Sequence, residues 1–268
     1  MSRRDLSGKV VLISGAASGL GAALCRRYAQ AGAHVAAMDV NAEPLEALVG
    51  ELCASGAPAL ALPGDIVDPT RCRAAVAETL ARFGGLDGLI NNAGISHRSL
   101  LQDTDPEVFR RVMEVNFFGA VNLTRAALSE VTARRGFIVA ISSVAGFAPL
   151  IGRTGYAASK HALHGFFDSL RGELAEQGVS ITLVCPSFIR TGIAVAATGG
   201  RGEPVSSPRI TTGGESSPEE IAARIFDAVA QGRTLLLPDR TAWKAWWLSR
   251  LAPRLYAWIM RRRLGGEF

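Results

Sequence analysis

Short apolar runs alternate with longer segments of helical periodicity along most of the 268-residue chain. The runs are apolar on both faces, which is the pattern of strands buried inside a parallel sheet. Right-handed crossovers between such strands favour a doubly wound parallel sheet, so we expect an α/β fold of about seven strands with helices on both faces. The expected strands are 9–14, 34–38, 58–62, 86–90, 136–141, 179–184 and 234–237. The expected helices are 19–31, 42–55, 69–83, 106–133, 154–177 and 218–231.

One stretch interrupts this alternation. Residues 192–217 are mostly Ala, Gly, Ser, Thr and Pro, and a capping box at Ser217–Glu220 then starts the next helix. A loop of this length inside a compact domain is typical of a lid or of a segment without fixed structure. We expect one domain over 1–240, with 241–268 as a basic, Trp-rich helical extension of it.

The charge of the chain is unevenly distributed. The net charge is +5, but residues 240–268 hold seven bases and one acid, so the preceding 239 residues sum to −1. A nucleic-acid-binding protein would show a basic body or a recognition motif, and we expect no nucleic-acid partner. The four cysteines are scattered, His161 and His164 lack a third ligand, and a charged start leads directly into a strand. We therefore expect no metal and a cytoplasmic location.

A glycine-rich turn joins the first strand to the first helix. Its sequence is Ser14-Gly15-Ala16-Ala17-Ser18-Gly19-Leu20-Gly21. Glycines allow the backbone to approach a pyrophosphate, and the free N–H groups of the helix N-terminus bind its charge. This strand–turn–helix context predicts a dinucleotide-binding domain of the Rossmann type.

Asp39, at the end of the second strand, indicates which dinucleotide binds. A carboxylate there can accept both ribose hydroxyls of NAD and would repel the 2′-phosphate of NADP. No Arg or Lys occupies Ala17, Ser18, Val40 or Asn41, where such a phosphate would need a base. We expect NAD as the cofactor, with NADP the less favoured alternative.

Further motifs follow in register over about three quarters of the chain. They are Gly15-x-x-x-Gly19-x-Gly21, Asp65-Ile66, Asn91-Asn92-Ala93-Gly94, Asn116, Ser143, Tyr156-x-x-x-Lys160 and Pro186-Ser187-Phe188-Ile189-Arg190-Thr191. Together they resemble the short-chain dehydrogenase/reductase family in its single-domain form. One departure is Ser187, where the family usually has glycine.

The resemblance implies roles for these residues. Asp65 and Ile66 would bind the adenine, and Asn92, Ala93 and Gly94 would lie beside the cofactor at the sheet centre. Pro186, Ile189 and Thr191 would border the nicotinamide. Asn116 would sit in a bent helix and hold a water that connects Lys160 to solvent. The resemblance also implies a homodimer or homotetramer.

Tyr156 and Lys160 are four positions apart, so they share one face of a helix. Carbonyl reduction needs a proton donor and alcohol oxidation needs a base, but an unperturbed Tyr has a pKa of about 10. One ammonium about 4 Å away stabilises the phenolate by roughly 4 kcal/mol at an effective dielectric near 20, which lowers that pKa by about 3 units. The fifth strand ends at Ile141-Ser142-Ser143, and the family's spacing to the tyrosine selects Ser143, which would hydrogen-bond the substrate oxygen. The resemblance, together with this pairing, implies that the catalytic residues are Asn116, Ser143, Tyr156 and Lys160.

The residues expected around the substrate are mostly apolar. They are Ser143, Ile95, His97, Phe147, Leu150, Tyr156 and Phe188. The bases that could reach this region are Arg98, Arg153 and Arg190. We expect a hydrophobic secondary alcohol or ketone of steroid, terpenoid or fatty type. The alternatives are an NADPH-dependent 3-oxoacyl-carrier ketoreductase, which shares every catalytic residue, and a catalytically silent cofactor-sensing or scaffold protein.

The C-terminal extension contains all four tryptophans of the chain. Trp243, Trp247, Leu251 and Leu255 recur every four residues and predict one apolar stripe on two short helices bent at Pro253. Because bases interrupt the apolar run, we do not expect this segment to span a membrane. The stripe either packs over the substrate pocket or a neighbouring subunit, or it lies at a membrane surface through residues 241–263.

Overall fold

The computed structural model describes residues 4–190, 197–205, 211 and 214–264. Thr191 and 12 of the 26 residues of the long loop (192–196, 206–210 and 212–213) lie outside these residues.

The core of the molecule is a seven-stranded, all-parallel sheet. Its strands in chain order are β1 (Val10–Ser14), β2 (His34–Asp39), β3 (Ala59–Pro63), β4 (Gly88–Asn91), β5 (Phe137–Ile141), β6 (Ser180–Val184) and β7 (Leu235–Leu236). Their order across the sheet is β3-β2-β1-β4-β5-β6-β7. The strand order reverses between β1 and β4, and the carboxyl ends of the strands there form the crevice in which doubly wound sheets bind ligands. The expected fold class is confirmed.

Helices cover both faces of the sheet. They are α1 (Gly19–Gln30), α2 (Ala42–Ala54), α3 (Pro69–Phe83), α4 (Pro106–Met113), α5 (Gly119–Ala133), α6 (Thr154–Glu173), α7 (Pro218–Ala230), α8 (Arg240–Leu251) and α9 (Pro253–Leu264). Buried side chains of α1, α2 and α7 form one core cluster with the sheet. Those of α3, α5 and α6 form the cluster on the opposite face.

The helix expected over 106–133 is interrupted in its middle. A π-helical turn over Glu114–Phe118 separates α4 from α5. This turn contains Asn116, a residue with low helix propensity whose side chain bonds to backbone outside the helix. The interruption therefore orients the Asn116 side chain toward the segment after β4.

The extension forms two helices, as its sequence predicts, with the break at Ala252 before Pro253. Its predicted stripe, however, does not pack over the pocket: Trp243, Trp247, Leu251 and Leu255 are between 45% and 77% exposed. The other face of the extension packs on the body, because its buried residues cluster with Ala148 and the loop around it. Those residues are Ala245, Tyr256 and Met260.

Candidate active site

The glycine-rich turn has a backbone that only glycine fits. Gly15 has a φ of +64°, and a Cβ on it would lie 2.7 Å from the Ala93 Cα. A Cβ on Gly21, in the first turn of α1, would lie 1.9 Å from the Gly15 carbonyl oxygen. The turn is therefore packed against itself and against the segment after β4, which brings the N-terminus of α1 to the sheet edge.

The turn after β4 is hydrogen-bonded to the glycine-rich turn. The Asn92 side-chain amide donates to the Ser14 and Gly15 carbonyl oxygens, both at 3.0 Å. The Ser14 hydroxyl accepts from the Asn92 and Ala93 backbone N–H groups at 3.1 and 3.2 Å. These bonds join the two strand ends at which the strand order reverses.

Two carboxylates lie at the same edge of the sheet. Asp39 is the last residue of β2, and Asp65 follows the neighbouring strand β3. One Asp39 carboxylate oxygen accepts from the Ala17 backbone N–H at 3.0 Å and the other accepts from the Asn41 N–H at 2.9 Å. Asp65 accepts from the Val67 N–H at 2.9 Å and lies 3.4 Å from the Arg111 guanidinium. The Asp39 carboxylate is thus held beside the glycine-rich turn, where a ribose would meet it.

Tyr156 and Lys160 lie in the first turns of α6. The Lys160 ammonium is 5.7 Å from the centre of the Tyr156 ring and donates to the Ile141 carbonyl oxygen at 2.9 Å. Burial lowers the pKa of Lys160 to about 8. Ser143 follows β5, and its hydroxyl oxygen accepts from the Ala145 backbone N–H at 3.1 Å.

Asn116 joins the π-helical turn to the segment after β4. Its side-chain oxygen accepts from the Ile95 N–H at 2.8 Å, and its amide donates to the Ile95 carbonyl and the Ser159 hydroxyl at 2.9 Å each. A Cβ on Gly94 would lie 3.1 Å from the Asn116 oxygen and 3.4 Å from the Lys160 ammonium nitrogen. The Asn116 side chain therefore lies close to Lys160, and its hydrogen-bonding atoms are already bonded to other protein groups.

Its similarity to known proteins identifies the family of this chain. The family model described as "short chain dehydrogenase" matches residues 9–201. The chain belongs to the short-chain dehydrogenase family. The resemblance inferred from the motifs is confirmed, and the chain is an oxidoreductase of that family.

Named relatives align with nearly the whole of this short-chain dehydrogenase. The "Dehydrogenase/reductase SDR family member 7B" of Bos taurus is 40% identical over 99% of this chain and 84% of its own length. The "Dehydrogenase/reductase SDR family protein 7-like" of Anopheles gambiae is 39% identical over 97% of this chain and 84% of its own length.

Solved structures agree in fold. A short-chain dehydrogenase/reductase from Burkholderia phymatum, in complex with NAD, superposes with a TM-score of 0.84 at 26% identity, covering 94% of this chain and 96% of that one. A dehydrogenase/reductase from Sinorhizobium meliloti has a TM-score of 0.76 at 32% identity, covering 87% and 94%.

One cavity of about 470 Å³ connects the glycine-rich turn to Tyr156. The expected cofactor residues that line it are Gly15, Ser18, Gly19, Leu20, Asp39, Asp65, Ile66, Asn92, Ala93, Gly94, Tyr156, Lys160, Pro186 and Ile189. The expected substrate residues that line it are Ile95, Ser143, Leu150, Tyr156 and Phe188. Gly21 and Asn116 are not among the lining residues. The glycine cradle and the held carboxylate of Asp39 fit a dinucleotide.

His97 does not line the cavity, contrary to expectation. Its side chain is fully buried, and its Nε2 atom accepts from the Gly155 backbone N–H at 2.9 Å. Its Nδ1 lies 3.3 Å from the Ser99 hydroxyl. Burial, together with the charge of Arg153, lowers the pKa of His97 to about 4, so the ring is neutral at neutral pH. His97 therefore fixes the start of α6, the helix that carries Tyr156.

Phe147 also lies outside the lining, because its ring packs under the extension. Its centroid is 4.8 Å from that of Trp246, in an edge-to-face contact. The loop that contains Phe147 also contributes Leu150 to the cavity, so the extension packs on the back of a cavity-forming loop.

Ser187, which departs from the usual family pattern, anchors the extension. Its hydroxyl donates to one Asp239 carboxylate oxygen at 2.7 Å, and its backbone N–H donates to the other at 2.9 Å. Asp239 also caps α8 by accepting from the Ala242 N–H at 2.8 Å. A cavity-lining residue beside Pro186 is thus bonded directly to the first residue before α8.

Sequence reasoning missed several lining residues, among them Met38, Gly64, Arg111 and Ala197. Arg98 and Arg153 were named only as bases within reach, yet both line the cavity and are 7% and 9% exposed. Among the described residues, no group of three or more His, Cys, Asp or Glu side chains could hold a metal ion.

Proposed function

We propose that this short-chain dehydrogenase transfers a hydride between NAD(H) and a secondary alcohol or ketone with an apolar body. The observation that carries the proposal is that one cavity joins Asp39 at one end to Tyr156, Lys160 and Ser143 at the other. The nicotinamide supplies or accepts the hydride when the cofactor is bound. The protein supplies the proton, the position of the substrate oxygen and the separation from water.

Tyr156 is the acid/base of this proposal. In the oxidation direction its phenolate removes the hydroxyl proton while the carbon loses its hydrogen with the bonding electrons, which leaves a carbonyl. The Lys160 ammonium lies 5.7 Å from the ring centre, and a positive charge at this range favours the phenolate over the neutral tyrosine.

The decisive experiment replaces Tyr156 by Phe and follows nicotinamide absorbance with a panel of alcohols and ketones. We expect Tyr156→Phe to fold and bind NAD but to lose nearly all turnover. Tyr256→Phe is the matched control, because it removes the same hydroxyl from the extension and should keep turnover. A Tyr156→Phe enzyme that retains more than about a tenth of the rate, less than 1.4 kcal/mol in the barrier, would contradict the assignment.

NAD rather than NADP is proposed from the position of Asp39. Its carboxylate oxygens already bond to the Ala17 and Asn41 N–H groups, which holds the negative charge beside the expected ribose. The ketoreductase alternative requires NADPH and would therefore meet repulsion at this site. The silent-scaffold alternative would lack a catalytic residue, and the chain has all four.

We also propose assembly into a homodimer or homotetramer. Phe118, at the end of the π-helical turn, is 45% exposed beside α5. An exposed aromatic next to long helices is typical of a subunit contact. Light scattering should give a mass well above 28.3 kDa at micromolar concentration, and a monomer mass would refute this proposal.

The exposed stripe of the extension supports peripheral binding to an anionic membrane. Trp258 is also 48% exposed, and residues 240–264 contain seven bases and no acid. Tryptophans prefer the headgroup level and arginines bind anionic lipid. Within the described part of the chain, no helix has the length and apolar character needed to cross a bilayer.

Vesicle sedimentation tests this contact. The full chain should sediment with phosphatidylglycerol-containing vesicles and much less with phosphatidylcholine alone, and added salt should weaken the binding. The double variant Trp243→Ser, Trp247→Ser should bind at least about tenfold less, since two interfacial rings are lost. Leu101→Ser, which removes a 66% exposed apolar side chain elsewhere, should bind as the wild type does. If the double variant binds the vesicles as tightly as the wild type does, these two tryptophans do not contact the membrane. The exposed stripe would then be better explained as a contact with a neighbouring subunit.

A further inference from the structure

His164 shares a face of α6 with Tyr156 and Lys160, because the three residues follow one another at intervals of four. It is not among the described residues that line the cavity, and it lies one helical turn beyond Lys160. Its side chain is partly buried against the residues that follow β5, which do line the cavity. His164 can therefore act on the site only through the residues that it contacts.

Ser142 joins His164 to the turn of α6 that contains Lys160. Its hydroxyl oxygen lies 3.0 Å from the His164 Nε2 atom, and the hydroxyl donates to the Lys160 carbonyl oxygen at 3.3 Å. Ser142 is 3% exposed, and its backbone N–H donates to the Val184 carbonyl oxygen at 2.8 Å. The Lys160 ammonium in turn donates to the Ile141 carbonyl oxygen. Two consecutive residues, at and just after the end of β5, are therefore each bonded to Lys160.

The protons of this cluster follow from its donors and acceptors. A hydroxyl has one proton, and a carbonyl oxygen can only accept a hydrogen bond. Ser142 therefore donates to Lys160 and accepts from His164, which requires the imidazole proton to be on Nε2. Burial lowers the pKa of His164 to about 4, so the ring is neutral at neutral pH and carries this single proton. The hydrogen bonds run in one direction, from the His164 ring to the Ser142 hydroxyl and on to the Lys160 carbonyl.

The surroundings of His164 keep its ring neutral. Burial is the largest cause of its low pKa, and neighbouring charges act on it from α6 and α8. Those that lower the pKa further are His161, Arg250 and Arg171, and the one that raises it is Asp168. At the end of β6, the Cys185 sulfur lies 3.5 Å from Nε2, and burial raises the pKa of that thiol to about 12. His164 therefore acts as a neutral hydrogen-bond donor rather than as a charge.

The loop after β5 closes directly over this hydrogen bond. A Cβ on Gly146 would clash with the Ser142 oxygen and would lie 2.8 Å from the His164 Nε2 atom. The Phe147 ring meets the His164 ring edge to face, with centroids 6.4 Å apart. Because Ser143 is the next residue after Ser142, the bond from His164 also holds the backbone that carries Ser143.

We propose that His164 is a positioning residue: by donating to Ser142, it holds the segment that carries Ser143 at a fixed distance from the turn of α6 that carries Lys160. For its effect on turnover, this inference rests on the proposed function. Ser143 and Lys160 act on the substrate oxygen and on Tyr156 from these two segments, and small displacements of such groups slow catalysis. A neutral histidine behind the cavity thus determines how well two residues inside it align.

The tautomer of His164 tests the hydrogen bond without requiring turnover. Long-range ¹H–¹⁵N correlation spectra of the histidine-labelled protein distinguish a proton on Nε2 from one on Nδ1. We expect the His164 ring to be neutral at neutral pH with its proton on Nε2, and the signal that disappears in His164→Gln assigns it. A proton on Nδ1 alone, or a charged ring, would overturn the proposal.

Kinetics of the folded variants, compared per NAD-binding site at saturating NAD, test the effect on the reaction. His164→Leu removes the donor but fills similar space, and we expect kcat to fall at least about tenfold. His164→Gln supplies an amide N–H that can reach Ser142 and should restore kcat to within about threefold of the wild type. His161→Leu is the matched control, because it removes an exposed histidine whose Nδ1 bonds within α6, and it should keep the wild-type kcat.

A double-variant cycle shows whether His164 acts through Ser142. Ser142→Ala should also lower kcat, and combining it with His164→Leu should lower kcat no further than the stronger single change does. Additive losses would show that His164 does not act through this hydroxyl and would overturn the proposal. A His164→Gln enzyme as slow as His164→Leu would overturn it as well, because the donor would then not be what matters.

The outcomes separate this inference from the proposed function. Turnover by the wild type that His164→Leu leaves within about twofold would reject the positioning role and keep the oxidoreductase assignment. An Nε2 proton on His164 in a wild type that turns over no alcohol or ketone would keep the hydrogen-bonded cluster and reject the proposed reaction.

Discussion

The two ends of the cavity differ in construction. At the cofactor end, Asp39 is the last residue of β2 and Asp65 follows β3 closely. At the substrate end, Arg98 and Arg153 lie in loops that are held together by backbone bonds between residues far apart in sequence. The parallel sheet therefore determines the cofactor end directly, whereas the substrate end depends on which loops meet.

The largest expected effect concerns the substrate end, where neutral His97 is buried beside positive Arg153. The folded protein holds the pKa of His97 at about 4, below the 6.5 of an ordinary histidine. Burial also lowers the pKa of His164 to about 4. Both pKa values are depressed, so the unfolded chain binds more protons between these limits, and stability is complete above pH 6.5 and falls with acidification. Between about pH 7 and pH 5 we expect the free energy of unfolding to drop by about 2 kcal/mol for each of these two histidines.

Urea unfolding at several pH values measures this loss. His97→Gln keeps an acceptor for the Gly155 N–H, and it should remove about half of the pH dependence because His164 remains. His161→Gln, at an exposed position of α6, serves as the control and should keep the wild-type slope. A slope that is unchanged in His97→Gln would show that His97 is not held neutral by the fold.

The second prediction concerns cofactor affinity at the cofactor end. The wild type should bind NAD(H) at least about tenfold more tightly than NADP(H), because the Asp39 carboxylate repels a 2′-phosphate. Asp39→Ala should narrow this ratio to within a few-fold, and Asp68→Ala, which removes an acid at the N-terminus of α3, should leave it unchanged. Fluorescence titration of both cofactors measures the ratio, and tighter NADPH binding by the wild type would reverse the NAD assignment.

These two ends also show how far sequence predicts such a site. The strands, Asp39 and the Tyr156–Lys160 pair were predicted because each depends on local periodicity or on the end of a strand, and the family resemblance selected Ser143. The positions of His97, Arg98 and Arg153 could not be predicted, because they depend on contacts of the loop after β4 with Gly152, Gly155 and Thr198.

The remaining differences have identifiable signals. Asn116 was recognisable as a poor helix former, but the π-helical turn that accommodates it depends on the Ile95 backbone groups to which it bonds. The stripe in the extension was predicted correctly as helical, whereas the surface it contacts was left open between the substrate pocket, a neighbouring subunit and a membrane. Both faces of α8 carry apolar residues, and Ala245 rather than Trp243 or Trp247 lies in the interface with the body.

The smallest expected effect concerns Ser187, through which the substrate end of the cavity is attached to the extension. Ser187→Ala removes the 2.7 Å hydroxyl bond to Asp239 but leaves the backbone bond and the cap of α8 in place. A hydrogen bond to a charged group contributes about 1.5 kcal/mol or somewhat more, so amides of α8 should exchange with deuterium about tenfold faster. Ser169→Ala, which removes an exposed hydroxyl bonded within its own helix α6, should leave this exchange unchanged. Because the loop beside Pro186 also borders the cavity, faster exchange in α8 together with a higher KM would show that the extension helps to shape the substrate end. Faster exchange without any change in KM would restrict the role of Ser187 to anchoring.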